Sequence, residues 1–200
     1  MGASGAADHV DQILAEWRRE RPDLDFSAMA VIARISRLSR ILERRIETVL
    51  SRYGINESGF GVLAALRRAG PPYRLTPTGL YNSLLISSGA MTNRLDRLTA
   101  ADLVERIPDL DDRRSVLVRL TTRGLRVVEE ALDAHIENEI ALLGALSARD
   151  KQELAGILRR LLVGFESDAG PHAVLDEDDA PGRDGLRRRS SLHPPGDAAP

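Results

Sequence analysis

The sequence contains no cysteine in 200 residues, which excludes disulfide bonds, zinc sites built on thiolates, and cysteine nucleophiles. Aromatic residues are also scarce, at 4% of the chain, so a hydrophobic core must be built from aliphatic side chains. The four histidines have no spacing typical of metal ligands; they are His9, His135, His172 and His193. We therefore predict no metal site and no cofactor.

Long apolar runs and an excess of basic residues are absent as well. No segment approaches the roughly 18 apolar residues that a membrane-spanning helix needs, and the N-terminus has no basic-then-apolar signal pattern. These absences predict a cytoplasmic protein with no membrane partner. The net charge of −2 is less basic than is usual for nucleic-acid binders. Much of the acidic charge lies outside the middle of the chain, as in residues 176–179, so the total does not exclude a DNA-binding surface there.

Apolar residues recur at helical spacing in seven segments of the chain. Five of these segments begin at a residue of capping type, namely Asn56, Thr76 before Pro77, Ser87 or Ser88, Thr121, and Ser147 with Asp150. Residues 70–74 (GPPYR) are predicted to form a loop. The predicted helices cover approximately residues 8–20, 27–53, 57–70, 77–85, 88–101, 122–143 and 148–165.

Between the fifth and sixth helices, the apolar residues change to the two-residue period of a β-strand. Residues 103–107 are strand-like, residues 108–114 are polar and turn-rich, and apolar residues alternate again over 116–120. This pattern predicts a β-hairpin with a charged tip. Two short helices followed by such a hairpin indicate a winged helix-turn-helix. The predicted fold class is therefore mainly α with a small β-hairpin wing.

The second short helix, residues 87–98 (SSGAMTNRLDRL), is predicted to be a DNA-reading helix. Met91, Leu95 and Leu98 share one face and are expected to pack inward. Small residues at its start allow close approach to DNA, and the free N–H groups of a helix N-terminus can bind phosphate. The alternative is one amphipathic helix among several, and this helix alone does not decide between the two. The DNA contacts predicted on it are Ser87, Ser88, Thr92, Asn93 and Arg97.

The hairpin tip, residues 108–115 (PDLDDRRS), carries two adjacent arginines. Arginines on an exposed turn can enter a narrow minor groove, where the potential is most negative, and a nearby carboxylate can hold the arginine side chain in place. The DNA contacts predicted for the wing are therefore Asp112, Arg113 and Arg114. A solvated charged turn is the favoured alternative for the tip in isolation. The order of two short helices and a charged hairpin favours contact with DNA.

The segment from residue 75 to residue 124 resembles the DNA-binding core of the multiple-antibiotic-resistance regulator (MarR) family. The resemblance is carried by LTPTGLYNSLLISSGAMTNRLDRLTAADLVERIPDLDDRRSVLVRLTTRG, and the flanking helices extend it to about residues 6–165. It implies a transcription regulator that performs no chemistry, a homodimer joined by its N- and C-terminal helices, and binding to a pseudo-palindromic operator in double-stranded DNA. It also implies that Arg114 enters the minor groove while Asp112 orients it.

The N-terminal stretch VDQILAEWRRERPDLD adds a helix before the usual first one, and it resembles the urate-responsive subfamily. The ligand site of that subfamily uses a tryptophan here, an aspartate in the third helix, an arginine in the reading helix and an arginine at the first wing strand. Trp17, Arg94 and Arg106 match three of these positions, and Gly61 stands where the aspartate would be. A small aromatic anion is therefore the predicted ligand. For Trp17, simple packing of an amphipathic helix is the alternative.

Periodicity independently places Arg94 beside the inward stripe of the reading helix and Arg106 on an inward-facing side of its strand. Arginines that face a domain interior need partners. Those partners are either a bound anion or internal carboxylates, among which Glu105 and Asp96 are candidates.

These features divide the chain into five segments. They are an N-terminal extra helix (1–24), dimerisation and scaffold helices (25–70), the winged helix-turn-helix core (71–124), C-terminal dimerisation helices (125–167) and a tail (168–200). The tail is rich in Asp, Gly, Pro and Arg without periodic apolar residues, and it is predicted to be disordered.

Three functions are compared on this basis. A ligand-responsive repressor is favoured, in which an anion near Arg94 weakens DNA binding by shifting the reading helix. The second is a DNA-binding regulator with no small effector, controlled by its abundance or by its tail. The third, an enzyme, has no support from a nucleophile–base pattern, a metal-ligand spacing or a phosphate-binding loop.

Overall fold

The computed structural model describes residues 6–84, 88–109 and 115–169. Within these ranges the chain forms seven α-helices, one 3-10 turn and three β-strands, so the predicted mainly helical, winged architecture is confirmed. The helices are α1 (His9–Glu20), α2 (Ser27–Leu50), α3 (Glu57–Arg68), α4 (Pro77–Leu84), α5 (Ser88–Ala100), α6 (Thr122–Leu142) and α7 (Ala148–Ala169). The strands are β1 (Arg74–Leu75), β2 (Val104–Pro108) and β3 (Val116–Leu120).

The helix boundaries follow local capping chemistry. The Asn56 side chain accepts a hydrogen bond from Gly59 N at 2.8 Å, and the Thr76 hydroxyl accepts one from Gly79 N at 3.0 Å. Ser147 and Asp150 make the predicted reciprocal capping box, with both backbone N–H groups donating to the opposite side chain. These predicted caps are confirmed. α5 begins at Ser88, whereas Ser87 lies outside the described residues.

The end of the second predicted helix differs slightly from expectation. The α-helix stops at Leu50, and residues Ser51–Tyr53 continue as a 3-10 turn. Gly54 closes this turn with φ at 70°, a left-handed conformation that costs glycine little. At the other end of the chain, α7 continues to Ala169, one residue beyond the predicted start of the tail at residue 168. Residues 170–200 lie outside the described residues.

The sheet has three strands in the order β1-β3-β2, all antiparallel. The predicted loop over residues 70–74 was wrong at its end, because Arg74 and Leu75 pair with Arg119 and Val118. Leu120 N also donates to Tyr73 O at 3.1 Å. A two-residue strand has too little sequence to show a period, which is why the pattern did not reveal it. β1 covers only the base of the hairpin, so the distal half of the hairpin projects beyond it.

The main core joins the reading domain to the base of the long helices. Met91, Leu95 and Leu98 of α5 are almost fully buried in it, as predicted. They pack with aliphatic residues from every neighbouring element, among them Leu50, Leu63, Leu66, Leu80, Val104, Val118 and Val128. Phe60 is the buried aromatic ring of this cluster, and leucine and valine fill most of the remaining space. The scarcity of aromatics in the sequence is thus met by an aliphatic core.

A second, smaller core joins α1 to α2. Val10 and Leu14 pack against Phe26, and Arg34 of α2 bridges back to the start of α1. Its guanidinium contacts Asp11 at 2.6 Å and Asp8 at 2.9 Å. The pKa of the Asp11 carboxyl is lowered, first because it accepts the Asp8 backbone N–H and then because Arg34 donates to it. The extra N-terminal helix is thus attached by packing and by a paired charge.

Three long helices expose apolar stripes. In α2 the apolar residues are buried only at the C-terminal end, at Val49 and Leu50, and Ile32 is 59% exposed. Phe165 and Leu162 of α7 are 69% and 59% exposed, and Ile140 near the end of α6 is 63% exposed. No described helix is long and apolar enough to cross a membrane. In water, stripes of this size mark an association surface.

Candidate DNA interface

The reading helix α5 presents its polar face to solvent. Thr92, Asn93 and Arg97 are exposed, whereas the opposite face is in the core. α4 packs against α5, and both pack against α3, so the helix-turn-helix is held rigidly from behind. The orientation predicted from the three- and four-residue spacing of Met91, Leu95 and Leu98 is confirmed. The DNA contacts themselves remain predictions.

The wing is the hairpin of β2 and β3, and its ladder extends beyond both strands. Pro108 is opposite Val116, and Asp109 N donates to Ser115 O at 3.1 Å. The tip is thereby confined to residues 110–114. The predicted contacts Asp112, Arg113 and Arg114 belong to this tip and lie outside the described residues.

A charged pair links the wing to the reading helix. Arg106 Nη2 on β2 lies 2.7 Å from Asp96 Oδ1 on α5. The expectation that Arg106 faces the domain interior was wrong, because its side chain is 43% exposed. The two-residue period correctly puts it on the face of buried Val104, but at this point of the hairpin the helices no longer cover that face. The partner is one of the two carboxylates that the sequence suggested.

A second pair holds the two strands of the wing together. Arg119 on β3 donates twice to the Glu105 carboxylate on β2, at 2.9 and 3.0 Å, directly across the ladder. Exposed ion pairs add little stability, roughly 0–1 kcal/mol each. Their role here is therefore geometric: Arg106–Asp96 links the wing to α5, and Arg119–Glu105 links the two strands of the wing.

The start of α6 is bound to the turn between α5 and β2. Thr121 caps α6 by accepting from Gly124 N at 2.9 Å, and its hydroxyl donates to Asp102 O at 2.7 Å. Thr121 N donates to Leu103 O at 3.2 Å, and Arg123 donates to Ala101 O at 2.8 Å. Three successive carbonyls of the turn are thus bound by the first residues of α6.

Gly124 is a residue that sequence reasoning missed at this junction. A Cβ atom at this position would lie 1.9 Å from Leu103 O, so only glycine fits. The available signal was a glycine in the first turn of a long helix, where it has no capping role and weakens the helix. The close approach of α6 to the turn explains it.

Arg94 lies on the inner side of the reading helix, half-buried, as its position beside the apolar stripe predicted. It lines a cleft of about 430 Å³ between α5, α3 and the C-terminal part of α2. Gly61 lines the same cleft, and two glutamates contribute to it, Glu47 and Glu57. The cleft is therefore a mixed-charge site against the back of the reading helix.

Trp17 and Arg106 are not in the lining of this cleft. Trp17 is 45% exposed and stacks on Phe26, with the ring centroids 6.2 Å apart. Arg106 is engaged with Asp96 on the wing. Within one subunit, the three predicted ligand contacts are therefore separated. No group of acidic or histidine side chains in the described part of the chain is arranged to hold a metal ion.

Known proteins resemble this chain over a region that includes α3 to the wing. The sequence profile of the MarR family matches residues 53–115, which span α3 to the wing. The transcriptional regulator PecS of Dickeya dadantii is 40% identical over 152 residues, covering 76% of this chain and 92% of PecS. The chain belongs to the MarR family. The multiple antibiotic resistance protein MarR of Escherichia coli is 34% identical over 125 residues, or 60% of this chain and 82% of that protein.

The structural comparison agrees with this membership. A crystal structure of a mutant of E. coli MarR complexed with operator DNA matches with a TM-score of 0.61 and 30% identity. The match covers 68% of this chain and 97% of that one. As a member of the MarR family, the protein is a DNA-binding transcription regulator of the winged helix-turn-helix class and not an enzyme.

Proposed function

We propose that this MarR-family regulator is a homodimeric repressor that binds a pseudo-palindromic operator in the cytoplasm and is released from it by a small anion. The observation that carries the proposal is the position of Arg94. It belongs to the reading helix, yet it turns away from the DNA-facing side and into a cleft. A ligand that contacts Arg94 can therefore act on the reader directly.

Dimer formation is supported by the exposed apolar stripes of α2, α6 and α7. Leaving Ile32, Ile140 and Phe165 in water is unfavourable by about 25 cal/mol for each Å² of apolar surface. A two-fold dimer buries the same stripes on both subunits and supplies two reading heads. We expect light scattering at micromolar concentration to give twice the mass of 21.9 kDa. A monomer under these conditions would refute this part of the proposal.

Two heads related by a two-fold axis require two half-sites. We expect random-site selection to enrich a pseudo-palindrome whose half-sites lie about one helical turn apart, roughly 10 base pairs centre to centre. Binding should weaken steeply with salt, since arginines displace counterions from phosphates. Selection that enriches no palindrome, or only a single half-site, would count against the dimeric mode of reading.

The cleft at Arg94 supports an anion as the effector, because a guanidinium offers a planar set of donors to a carboxylate or an enolate. Gly61 leaves space opposite this arginine, since a Cβ there would meet Leu84 at an ordinary 3.6 Å. Glu47 and Glu57 also line the cleft, so an anion has to compete with them. Trp17 and Arg106, the other predicted contacts, join the site only if a second subunit or a shift of the head brings them near.

The effector is tested by titrating purine and phenolic anions against the protein–operator complex. We expect one of them to lower operator affinity by about 5–150-fold, the usual range of allosteric coupling. The Arg94→Ala variant should bind the operator with the same affinity in the presence and in the absence of the anion. Arg97→Ala is the matched control: it removes an exposed arginine three residues along the same helix, so it should weaken DNA binding but leave the fold-change on anion addition intact.

A regulator without a small effector is the second candidate, favoured by the two carboxylates that accompany Arg94 in the cleft. It predicts that no anion changes operator affinity. If an anion does release DNA but does so equally from Arg94→Ala, the effector exists and binds elsewhere. The same titration with Trp17→Ala shows whether the tryptophan belongs to the site.

A further inference from the structure

A second groove lies between α1 and α2, on a different side of α2 from the apolar stripe that faces α7. Its volume is about 410 Å³. Three arginines of α2 line one wall, Arg37, Arg40 and Arg44. At positions i, i+3 and i+7 they follow one face of the helix, about 4.5 and 6 Å apart along its axis. The groove therefore has a continuous basic wall.

This basic wall has no acidic counterpart among the described residues. Arg34, one turn earlier on the helix, is paired with Asp8 and Asp11. By contrast, no carboxylate of the described residues forms an ion pair with any of the three arginines. Arg40 and Arg44 instead donate to carbonyls of their own helix, Ser36 O at 3.3 Å and Arg40 O at 3.0 Å. Three neighbouring positive charges thus repel one another at this wall.

The remaining lining of the groove is apolar. Val10 is buried beneath it, and Ile13 and Ile41 are 36% and 39% exposed at its floor. A matching occupant has apolar side chains next to several negative charges. A DNA backbone has the negative charges but lacks the apolar groups. The apolar stripe of α7 from a second copy of the chain has the apolar groups but lacks the negative charges.

We propose that residues 173–179 of the same chain, with the sequence AVLDEDD, dock in this groove. The segment begins with three apolar residues and continues with four carboxylates in succession. In an extended chain, alternate side chains on one side are about 6.6–6.8 Å apart. Asp176 and Asp178 then meet successive arginines of the wall, while Leu175, on the opposite side of the segment, reaches the isoleucine floor.

The length of chain available is sufficient for this docking. Leu154 and Leu161 of α7 line a groove together with Ile35 and Leu38 of α2, so the two helices face each other across this groove. Ala169 ends α7 eight residues beyond Leu161, about 12 Å of helix. The six residues that follow, up to residue 175, span as much as about 20 Å when extended. That length is about twice the 10–12 Å diameter of a helix with its side chains, so the segment can pass from one side of α2 to the other.

The absence of cysteine permits a clean cross-linking test in the full-length protein. Ser36, which lines the groove, is replaced in the pair Ser36→Cys with Ala173→Cys. Ser39→Cys with Ala173→Cys is the matched control, because Ser39 lies on the same helix but lines the groove that faces α7. Each single-cysteine variant is first titrated with a small aromatic disulfide reagent, and cross-linking rates are divided by the reactivity so measured.

We expect the Ser36→Cys pair to form an intrachain disulfide at least about five times faster than the control pair after this correction. That difference should disappear when the acidic run is neutralised by Asp176→Asn, Glu177→Gln, Asp178→Asn and Asp179→Asn. It should also disappear in roughly 0.5–1 M salt, because the Debye length then falls to roughly 3–4 Å. Reversing the charges on both sides should restore the difference in rate. The substitutions are Arg37→Glu, Arg40→Glu and Arg44→Glu together with Asp176→Lys, Glu177→Lys, Asp178→Lys and Asp179→Lys.

Three results would overturn the proposal. The first is equal corrected rates for the two pairs, and the second is a rate that neutralisation of the four acidic residues does not change. The third is a disulfide-linked dimer instead of an intrachain product, because it means that another chain covers the groove.

Discussion

Replacing Gly124 with alanine should destabilise the junction between α6 and the turn that connects α5 to β2. The added Cβ would lie 1.9 Å from Leu103 O and 2.8 Å from the Leu103 carbonyl carbon, both backbone atoms that cannot rotate away. The same carbonyl accepts the Thr121 N–H, so moving it also breaks the cap of α6. We expect a loss of about 3 kcal/mol in the free energy of unfolding, at the upper end for overpacking. This corresponds to a Tm lower by roughly 6–12 °C for a chain of this size.

Gly61→Ala is the matched control for this prediction. Gly61 is also a helical glycine, but its added Cβ meets only Leu84 at 3.6 Å, an ordinary contact. Removing a glycine from a helix interior should then stabilise the protein slightly, by about 0.5–1 kcal/mol. Thermal melts of both variants separate the effect of the close approach from that of glycine itself. A Gly124→Ala protein with an unchanged Tm would show that α6 does not contact the turn this closely.

Arg114→Ala is expected to reduce operator affinity by about 10–100-fold, the range for losing one specific arginine contact. The wing ladder closes at Asp109 and Ser115, so residue 114 belongs to a short tip at the far end of the hairpin. The sequence predicts that Arg114 lies on an exposed turn outside the core, so the Tm should stay the same. If the arginine binds in the minor groove, the salt dependence of binding should also become shallower by about one unit of slope.

The control for this variant is Arg149→Ala, in the first turn of α7. It removes the same charge from an exposed position far along the sequence from the wing. Operator titrations should show little change for this variant, whereas a general loss of positive charge would weaken both proteins alike. Equal affinity of Arg114→Ala and the unaltered protein would mean that the tip is a solvated charged turn.

Features that depend on a few neighbouring residues were predictable from the sequence. Capping side chains act over three residues, and the helical period acts over one or two turns, so the starts of α3 and α6 and the inward face of α5 followed directly from the sequence pattern. The order of short helices and hairpin then sufficed for the winged fold, and with the wing motif it indicated the MarR family. The similarity to PecS and to MarR confirms that assignment.

Features that depend on where distant segments meet were decided only by the tertiary structure. Periodicity assigned Arg106 a side of its strand, but whether that side is buried depends on how α5 packs beside β2, and there Arg106 pairs with Asp96 at the surface. Strand β1 is too short to have a period, and its pairing depends on β3 more than 40 residues later. The need for glycine at position 124 comes from a carbonyl 21 residues earlier in the chain. Local chemistry therefore determined which elements form and which faces are apolar, whereas the packing of elements far apart in sequence decided which charges meet.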